Sequence, residues 1–453
     1  NGLDLPGDWL FSKAAFNKED SSYVDSLVKR KDEIFREIPQ ANGQSFREKL
    51  ISLKDKIIPT WTDSLLEKAN WTQYDLVGFS CTFTDQTVSS LALARRIRKV
   101  HPKVKIILGG SAMAESMGEE IAHHFDYIDT VVRGEGEEAI LEIMNMMEEK
   151  TPLPKTYSSK KPVLMDNIPV PHYQSYFDFL DDKFTEEEIA KIGVTIPIES
   201  SRGCWWGEKK HCTFCGLNRK EMRFRIKSSD RMLNEIEALA KTHNYYSFHS
   251  VDNIISMTYF QDFIPTLIEQ KTSFEFYFQS KSNLTYDQIG QLKEAGFSRI
   301  QPGIESLHTD ILNLMEKGVH GAQNLIFLKW GRYFELDVIW NILFGFPGET
   351  KEQYEWMINI IPKIVHFQPP GWVGKIRIDR FSPYFNQCIS EEEKGVPLEE
   401  RTFRNVEPGP AYSKIYPNEM NMNRLAYFYT GDGVTTVPSE VYEKLIHQAF
   451  EWR

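Results

Sequence analysis

Long apolar runs are missing from this chain: nowhere do about 18 apolar residues follow one another, so no membrane-spanning helix is expected. The first residues, Asn1, Gly2, Leu3 and Asp4, offer neither the basic start nor the apolar stretch of a secretory signal, and a cytoplasmic location is the expectation. Basic residues are outnumbered, 53 Lys and Arg against 64 Asp and Glu for a net charge of -11, which counts against nucleic acid held on a broad basic surface. A basic peptide is not excluded by that balance. Cysteine is scarce. There are five in 453 residues, an odd number, and the crowding of Cys204, Cys212 and Cys215 argues for ligation of a metal or cluster rather than a disulfide framework. Internal repeats and low-complexity tracts are absent as well.

What remains is an ordinary globular composition, 41% hydrophobic and 26% charged, at a length that calls for two or three domains. Residues 3–70 carry helix-like apolar spacing. From Asp75 the pattern alternates: apolar runs at 75–80, 104–110 and 127–132 read as parallel strands, and the amphipathic stretches 87–101 and 113–125 between them read as helices. Residues 1–150 are thus expected to form a doubly wound, Rossmann-like α/β domain with a helical N-terminal segment. Three strands make a thin sheet, so one or two more are expected from upstream or elsewhere.

Five prolines between 152 and 171 mark residues 151–192 as a linker. Beyond it, strand patterns recur at 194–199, 246–251, 274–280, 299–302, 338–344 and 375–379, most of them separated by helical stretches. That order predicts a parallel, TIM-type (β/α)6 partial barrel over 193–385, with active groups at the C-terminal ends of its strands. Residues 386–453 are less regular and are expected to cover the barrel.

The segment carrying the chemistry follows the first barrel strand directly: Glu199-Ser-Ser-Arg-Gly-Cys204-Trp-Trp-Gly-Glu-Lys-Lys-His-Cys212-Thr-Phe-Cys215. Its spacing is C-x7-C-x2-C. Three thiolates can hold three irons of a cubane and leave the fourth open to a ligand, whereas four-cysteine clusters usually have closed coordination. The alternative is a zinc site completed by His211. Cys81 and Cys388 have no partner at ligand spacing and read as buried small residues.

Together with Val251-Asp-Asn-Ile254, Ile300-Gln-Pro-Gly-Ile-Glu-Ser306, Leu343-Phe-Gly-Phe-Pro-Gly-Glu-Thr350 and Asp379-Arg-Phe-Ser-Pro-Tyr384, this block resembles the radical S-adenosylmethionine superfamily. More narrowly, it resembles the cobalamin-binding enzymes that mature ribosomally made peptides. The resemblance implies a four-iron four-sulfur cluster on Cys204, Cys212 and Cys215, whose open iron chelates S-adenosylmethionine. One electron then splits that cofactor to a 5'-deoxyadenosyl radical. By the same resemblance Phe214 borders the adenine, while Gln279, Lys281, Gln301, Glu305 and Asn341 lie where the ribose and methionine moieties belong. Trp205 and Trp206 face the corrin or the substrate. Asp252, Asn253, Asp379 and Arg380 follow strands and are candidates either to face substrate or to cap and support the loops.

In the first domain, glycines and hydroxyls collect at the strand ends, where backbone can approach a large cofactor. The resemblance makes them a cobalamin cradle: Ser80, Thr82 and Thr84, then Gly109, Gly110 and Ser111, then Gly134, Glu135 and Gly136. The Asp-x-His-x-x-Gly motif is absent, so cobalamin is expected base-off without a protein histidine, and a strand upstream of Gly2 is expected to be missing. The implied activity is methylation of an unactivated carbon in a ribosomally synthesised peptide, with a flavodoxin or ferredoxin as reductant and neither nucleic acid nor membrane as partner. Two alternatives stay open: peptide cyclisation, epimerisation or crosslinking without methyl transfer, and a non-catalytic zinc-holding or cofactor-holding module that binds a peptide.

Overall fold

A computed structural model of the chain describes residues 4–20, 22–29, 45–218 and 222–453. The expected helical pattern across residues 30–44 lies outside the described residues. The chain divides into two compact units, residues 1–163 with 405–431 and residues 164–404 with 432–453.

In the first unit β1 (Leu76–Ser80), β2 (Lys105–Gly109), β3 (Thr130–Val132) and β4 (Thr156–Tyr157) form one sheet in the order β1-β2-β3-β4. All three pairings are parallel. Parallel strands need crossovers, and these are α2 (Thr87–Val100), α3 (Glu115–His124) and α4 (Gly136–Glu148); α1 (Pro6–Phe16) precedes the sheet. In α2 the buried Val88, Leu91, Ala92 and Ile97 recur at helical spacing and form the apolar stripe that the sheet requires. The additional strand comes from downstream: Thr156 and Tyr157 pair with β3 inside the stretch expected to be linker. Residues 405–431 also return to this unit, where Arg424 binds Glu119 and Glu120 of α3.

The second unit is a partial barrel. Strands β5 (Ile196–Ile198), β6 (Ser247–Ser250), β7 (Glu275–Gln279), β8 (Phe297–Gln301) and β9 (Asp337–Val338) form a parallel sheet in the order β9-β8-β7-β6-β5, and β10 (Asn341–Phe344) pairs in parallel with β11 (Trp372–Lys375). The fifth strand pattern is therefore split at Ile339 and Trp340. Ile339 N–H donates to Ile300 (2.9 Å), and Asn341 and Leu343 donate to Ile304 (3.1 Å) and Glu305 (2.9 Å), which continues the wall across the break. Phenylalanines fill the core: Phe276 lies 5.8 Å from Phe248 and 5.2 Å from Phe297 between ring centroids. The intervening helices include α5 (Ser229–His243), α6 (Phe263–Gln270), α7 (Tyr286–Glu294), α8 (Gly321–Tyr333) and α9 (Lys351–Ile360), and α10 (Ser439–Trp452) ends the chain. Among the described residues no helix is long and apolar enough to cross a membrane.

Candidate functional site

The cysteine loop leaves β5 through a turn built on a buried carboxylate. Asp252, just after β6, accepts Ser200 N–H (2.8 Å), Ser201 N–H (3.0 Å) and the Ser200 hydroxyl. Burial pushes this carboxyl up to about 6, while those hydrogen bonds pull it down. Asp252 therefore supports the cluster loop instead of facing a substrate. Asn253 acts in the same direction, donating to Asn218 Oδ1 at 2.5 Å.

Cys204, Cys212 and Cys215 are free and half-buried. Their sulfurs lie close enough together to influence one another electrostatically, and Cys215 N–H donates to Cys212 C=O at 3.1 Å, closing a tight turn. Burial raises both the Cys212 and the Cys215 thiols, the latter to about 12, so the ligand-free thiols are protonated and a bound cation would draw out the thiolates. Among the described residues no three His, Cys, Asp or Glu side chains converge on a single ion. His211, the fourth ligand of the zinc alternative, has its Nε2 2.8 Å from the Cys215 carbonyl, which orients the ring. The donor set fits an iron-sulfur cubane with one open iron.

Two lysines stand beside the sulfurs. Lys281 follows β7; its ammonium donates to Lys317 C=O (2.6 Å) and lies 3.0 Å from the Trp206 ring centroid, and burial brings it down to about 8. Lys317 pairs with Glu305 at 3.6 Å and lies 5.9 Å from the Phe214 ring. Burial opposes its charge, but the Glu305 carboxylate beside it holds it above the usual lysine range. Lys317 carries no strand-end or motif signal, and only its closeness in space reveals it. The acidic and basic pair, Glu305 and Lys317, matches the amino and carboxylate ends of an amino acid.

The other expected residues are distributed less evenly. Gln301 Oε1 accepts the Tyr277 hydroxyl at 2.6 Å. Gln279 ends β7, whereas Asn341 opens β10 because the strand is split, and so does not stand at a strand's C-terminal end. Trp205 and Trp206 are anchored by their indole N–H groups to Ile255 C=O and Glu316 C=O, both at 3.1 Å. Trp206 also fills the space over Gly318, whose φ of +59° and missing Cβ permit the contact. Asp379 is engaged by Arg377 at 2.6 Å.

In the first unit the loops after β1 and β2 are tied by Cys81 N–H to Gly109 C=O (2.7 Å) and Ala112 N–H to Cys81 C=O (2.9 Å). Gln86 Oε1 accepts Thr82 N–H (2.8 Å) and Phe83 N–H (3.0 Å), fixing the loop that bears Thr82 and Thr84. Ser80 and Gly109 end their strands, Ser111 follows Gly110, and Gly134, Glu135 and Gly136 lead from β3 into α4. These are the strand C-terminal ends where open α/β sheets bind ligands. Behind the first two loops a small cavity is lined by Asp8, Thr84, Thr87, Ala112, Tyr412 and Tyr416, and burial holds the Asp8 carboxyl well above its ordinary range. Gly110 has φ +98°, and a Cβ there would stand 2.5 Å from Cys81 O. Gly110→Ala is expected to cost about 1–3 kcal/mol of local strain and to lower corrinoid retention after gel filtration. Wild-type retention would remove Gly110 from the cradle.

The geometry agrees with what sequence families assign. The B12 binding domain family matches residues 44–144, and the Radical SAM superfamily matches residues 198–361. The chain carries a B12-binding domain followed by a radical SAM domain, and these two domains define its cofactors as cobalamin, S-adenosylmethionine and a four-iron four-sulfur cluster. Among known proteins it is similar to an uncharacterized methyltransferase of Pyrococcus horikoshii, 25% identical over 309 residues that cover 64% of each chain. It is also similar to the hopanoid C-3 methylase of Methylococcus capsulatus, 22% identical over 70% of this chain and 62% of that one. The chain thus spans less than two thirds of these relatives' length. Among solved structures it shares its fold with the cobalamin-dependent S-adenosylmethionine radical enzyme OxsB, bound to aqua-cobalamin and S-adenosylmethionine. The TM-score is 0.63 at 16% identity, covering 87% of this chain and 62% of that one.

Proposed function

We propose that the protein is a cobalamin-dependent radical S-adenosylmethionine methyltransferase that methylates an unactivated carbon of a ribosomally synthesised peptide. The observation that carries this reading is the pairing of a three-cysteine, open-iron donor set with a B12-binding domain in one chain. When bound, the cluster and S-adenosylmethionine supply a 5'-deoxyadenosyl radical and cobalamin supplies the methyl carrier, a combination suited to carbons that have no lone pair for ordinary displacement. The two methyl-transferring relatives support methyl transfer over another radical outcome. The peptide substrate is supported by the resemblance carried by the motif blocks running from Ser201 to Tyr384, and the excess of acidic residues does not exclude a basic peptide.

The chain's own groups have assignable tasks. Lys317 would pair with the methionine carboxylate and Glu305 would accept hydrogen bonds from the methionine amino group, each giving up part of their mutual ion pair. Phe214 borders the adenine, and the buried walls around the cysteines keep water from a reactive intermediate. The external electron comes from a small reductant protein such as flavodoxin or ferredoxin. The test is incubation with reductant, a precursor peptide and S-adenosylmethionine labelled on its methyl group. Label in the peptide supports the reading, and an unlabelled cyclised, epimerised or crosslinked peptide replaces methyl transfer by the other radical outcome. An untouched peptide beside steady deoxyadenosine formation overturns the substrate class.

A further inference from the structure

The turn after β10, Gly345-Phe-Pro-Gly-Glu349, holds a buried acid to which no basic group among the described residues is paired. Glu349 is 1% exposed and is satisfied by hydrogen bonds alone. It accepts Gly345 N–H on both oxygens at 3.0 Å, Phe346 N–H at 2.8 Å and the Tyr354 hydroxyl at 2.5 Å. Two more donors come from the C-terminal segment: the Thr435 hydroxyl at 3.5 Å and the Tyr442 hydroxyl on α10. Tyr442 is itself fixed, its ring stacked on Phe344 at the end of β10 with centroids 4.4 Å apart and planes at 20°. A buried carboxylate with this many donors sets the direction of each group that serves it, and removing one leaves a lone pair unsatisfied in a dry place.

What the turn carries is an aromatic wall. Phe346, fully buried, meets Phe214 edge to face at 5.9 Å and lies 6.5 Å from Tyr384. Tyr384 in turn donates its N–H to Thr213 C=O at 2.9 Å, between the second and third cysteines. The residue beside the adenine is thus braced by a turn whose backbone is oriented by Glu349, and α10 supplies one of the groups orienting Glu349.

We propose that Tyr442 is a positioning residue for S-adenosylmethionine, acting through Glu349 on the Gly345–Phe346 turn and so on Phe214. This rests on the reading of the cysteine site given above, and it makes the C-terminal helix part of the cofactor pocket rather than an outer cover. Tyr442→Phe deletes the hydroxyl and keeps the ring on Phe344. In the full chain with its cluster reconstituted, the variant is expected to keep wild-type iron content and circular dichroism. Its S-adenosylmethionine Kd, read from the change of the reduced cluster's electron paramagnetic resonance signal, is expected to rise about three- to tenfold. The KM for cleavage should rise alongside, with kcat nearly unchanged.

Trp452→Phe is the control, because Trp452 on the same helix donates to Phe367 C=O at 3.2 Å, away from Glu349. It should leave the Kd unaltered. A wild-type Kd in Tyr442→Phe, even with a lowered Tm, makes Tyr442 merely structural and overturns the proposal. An equal rise in Trp452→Phe overturns it too, as a general loosening of the helix. A wild-type cluster that binds no S-adenosylmethionine sinks the functional reading itself, a failure distinguishable from the other two because it appears without any substitution.

Discussion

Cys212→Ala is expected to abolish cluster retention and S-adenosylmethionine cleavage together. Cys212 is the middle cysteine of the proposed ligand set, close enough to Cys204 and Cys215 to interact with them electrostatically, and its N-terminal neighbour His211 is held on the Cys215 carbonyl. Losing a supporting contact around a metal commonly costs 10–100-fold in affinity, so losing one of three ligands should cost more than about 100-fold. Iron and sulfide analysis after anaerobic reconstitution measures the first loss, and 5'-deoxyadenosine yield the second. Cys388→Ala should leave both unchanged, because Cys388 is buried elsewhere and belongs to no ligand set. So should Cys81→Ala, whose sulfur lies 3.4 Å from the Ser90 hydroxyl in the other unit. Full iron in Cys212→Ala would mean that the cluster, if one forms, is held by other residues.

Lys227→Met should produce the largest loss of stability. The Lys227 ammonium and the Glu235 carboxylate form a pair that is almost fully buried, with both oxygens within 2.9 Å. Arg231 adds a third member at 2.9 Å from Glu235. Removing one partner of a buried pair leaves an uncompensated charge and costs about 3–5 kcal/mol, and the remaining Arg231 contact places the expectation toward the lower end. The loss should appear as a lower denaturant midpoint for the second unit with an unchanged slope. A change under about 1 kcal/mol would show that water already reaches the pair. The double variant Lys227→Met with Glu235→Leu should recover much of the loss, since an apolar pair removes the stranded charge. The position also matters to the site, because Lys227 N–H donates to Ser200 C=O at 2.8 Å and its own carbonyl accepts the Tyr259 hydroxyl at 2.8 Å.

How much of this was legible in the sequence follows from the range of each interaction. The alternation of strands and helices along both units was visible in local apolar patterning, and the cysteine loop was visible in a spacing that points to ligation. Thr156 and Tyr157 were not legible as a strand, since two residues among prolines show no period-two alternation and pair only because β3 presents an open edge. The return of residues 405–431 to the first unit is non-local and rests on contacts such as Arg424 with Glu120, which no window of sequence reveals. The mostly apolar run over residues 338–344, interrupted by Asn341, concealed the split that places Asn341 at a strand's start. Lys317 escaped, while Asp252 was named with two candidate roles, of which the structure shows loop support. Lys317 sits in a loop without a motif, whereas Asp252 was visible at a strand end but turns inward to serve Ser200 and Ser201.

The most direct test of the account is a single anaerobic preparation, reconstituted with iron, sulfide and cobalamin, analysed for its metals and corrinoid, and then assayed for 5'-deoxyadenosine after S-adenosylmethionine and reductant are added. The account predicts about four irons per chain, a retained corrinoid spectrum and deoxyadenosine formation. Stoichiometric zinc in place of iron, or a fully loaded cluster that does not cleave S-adenosylmethionine, would contradict it.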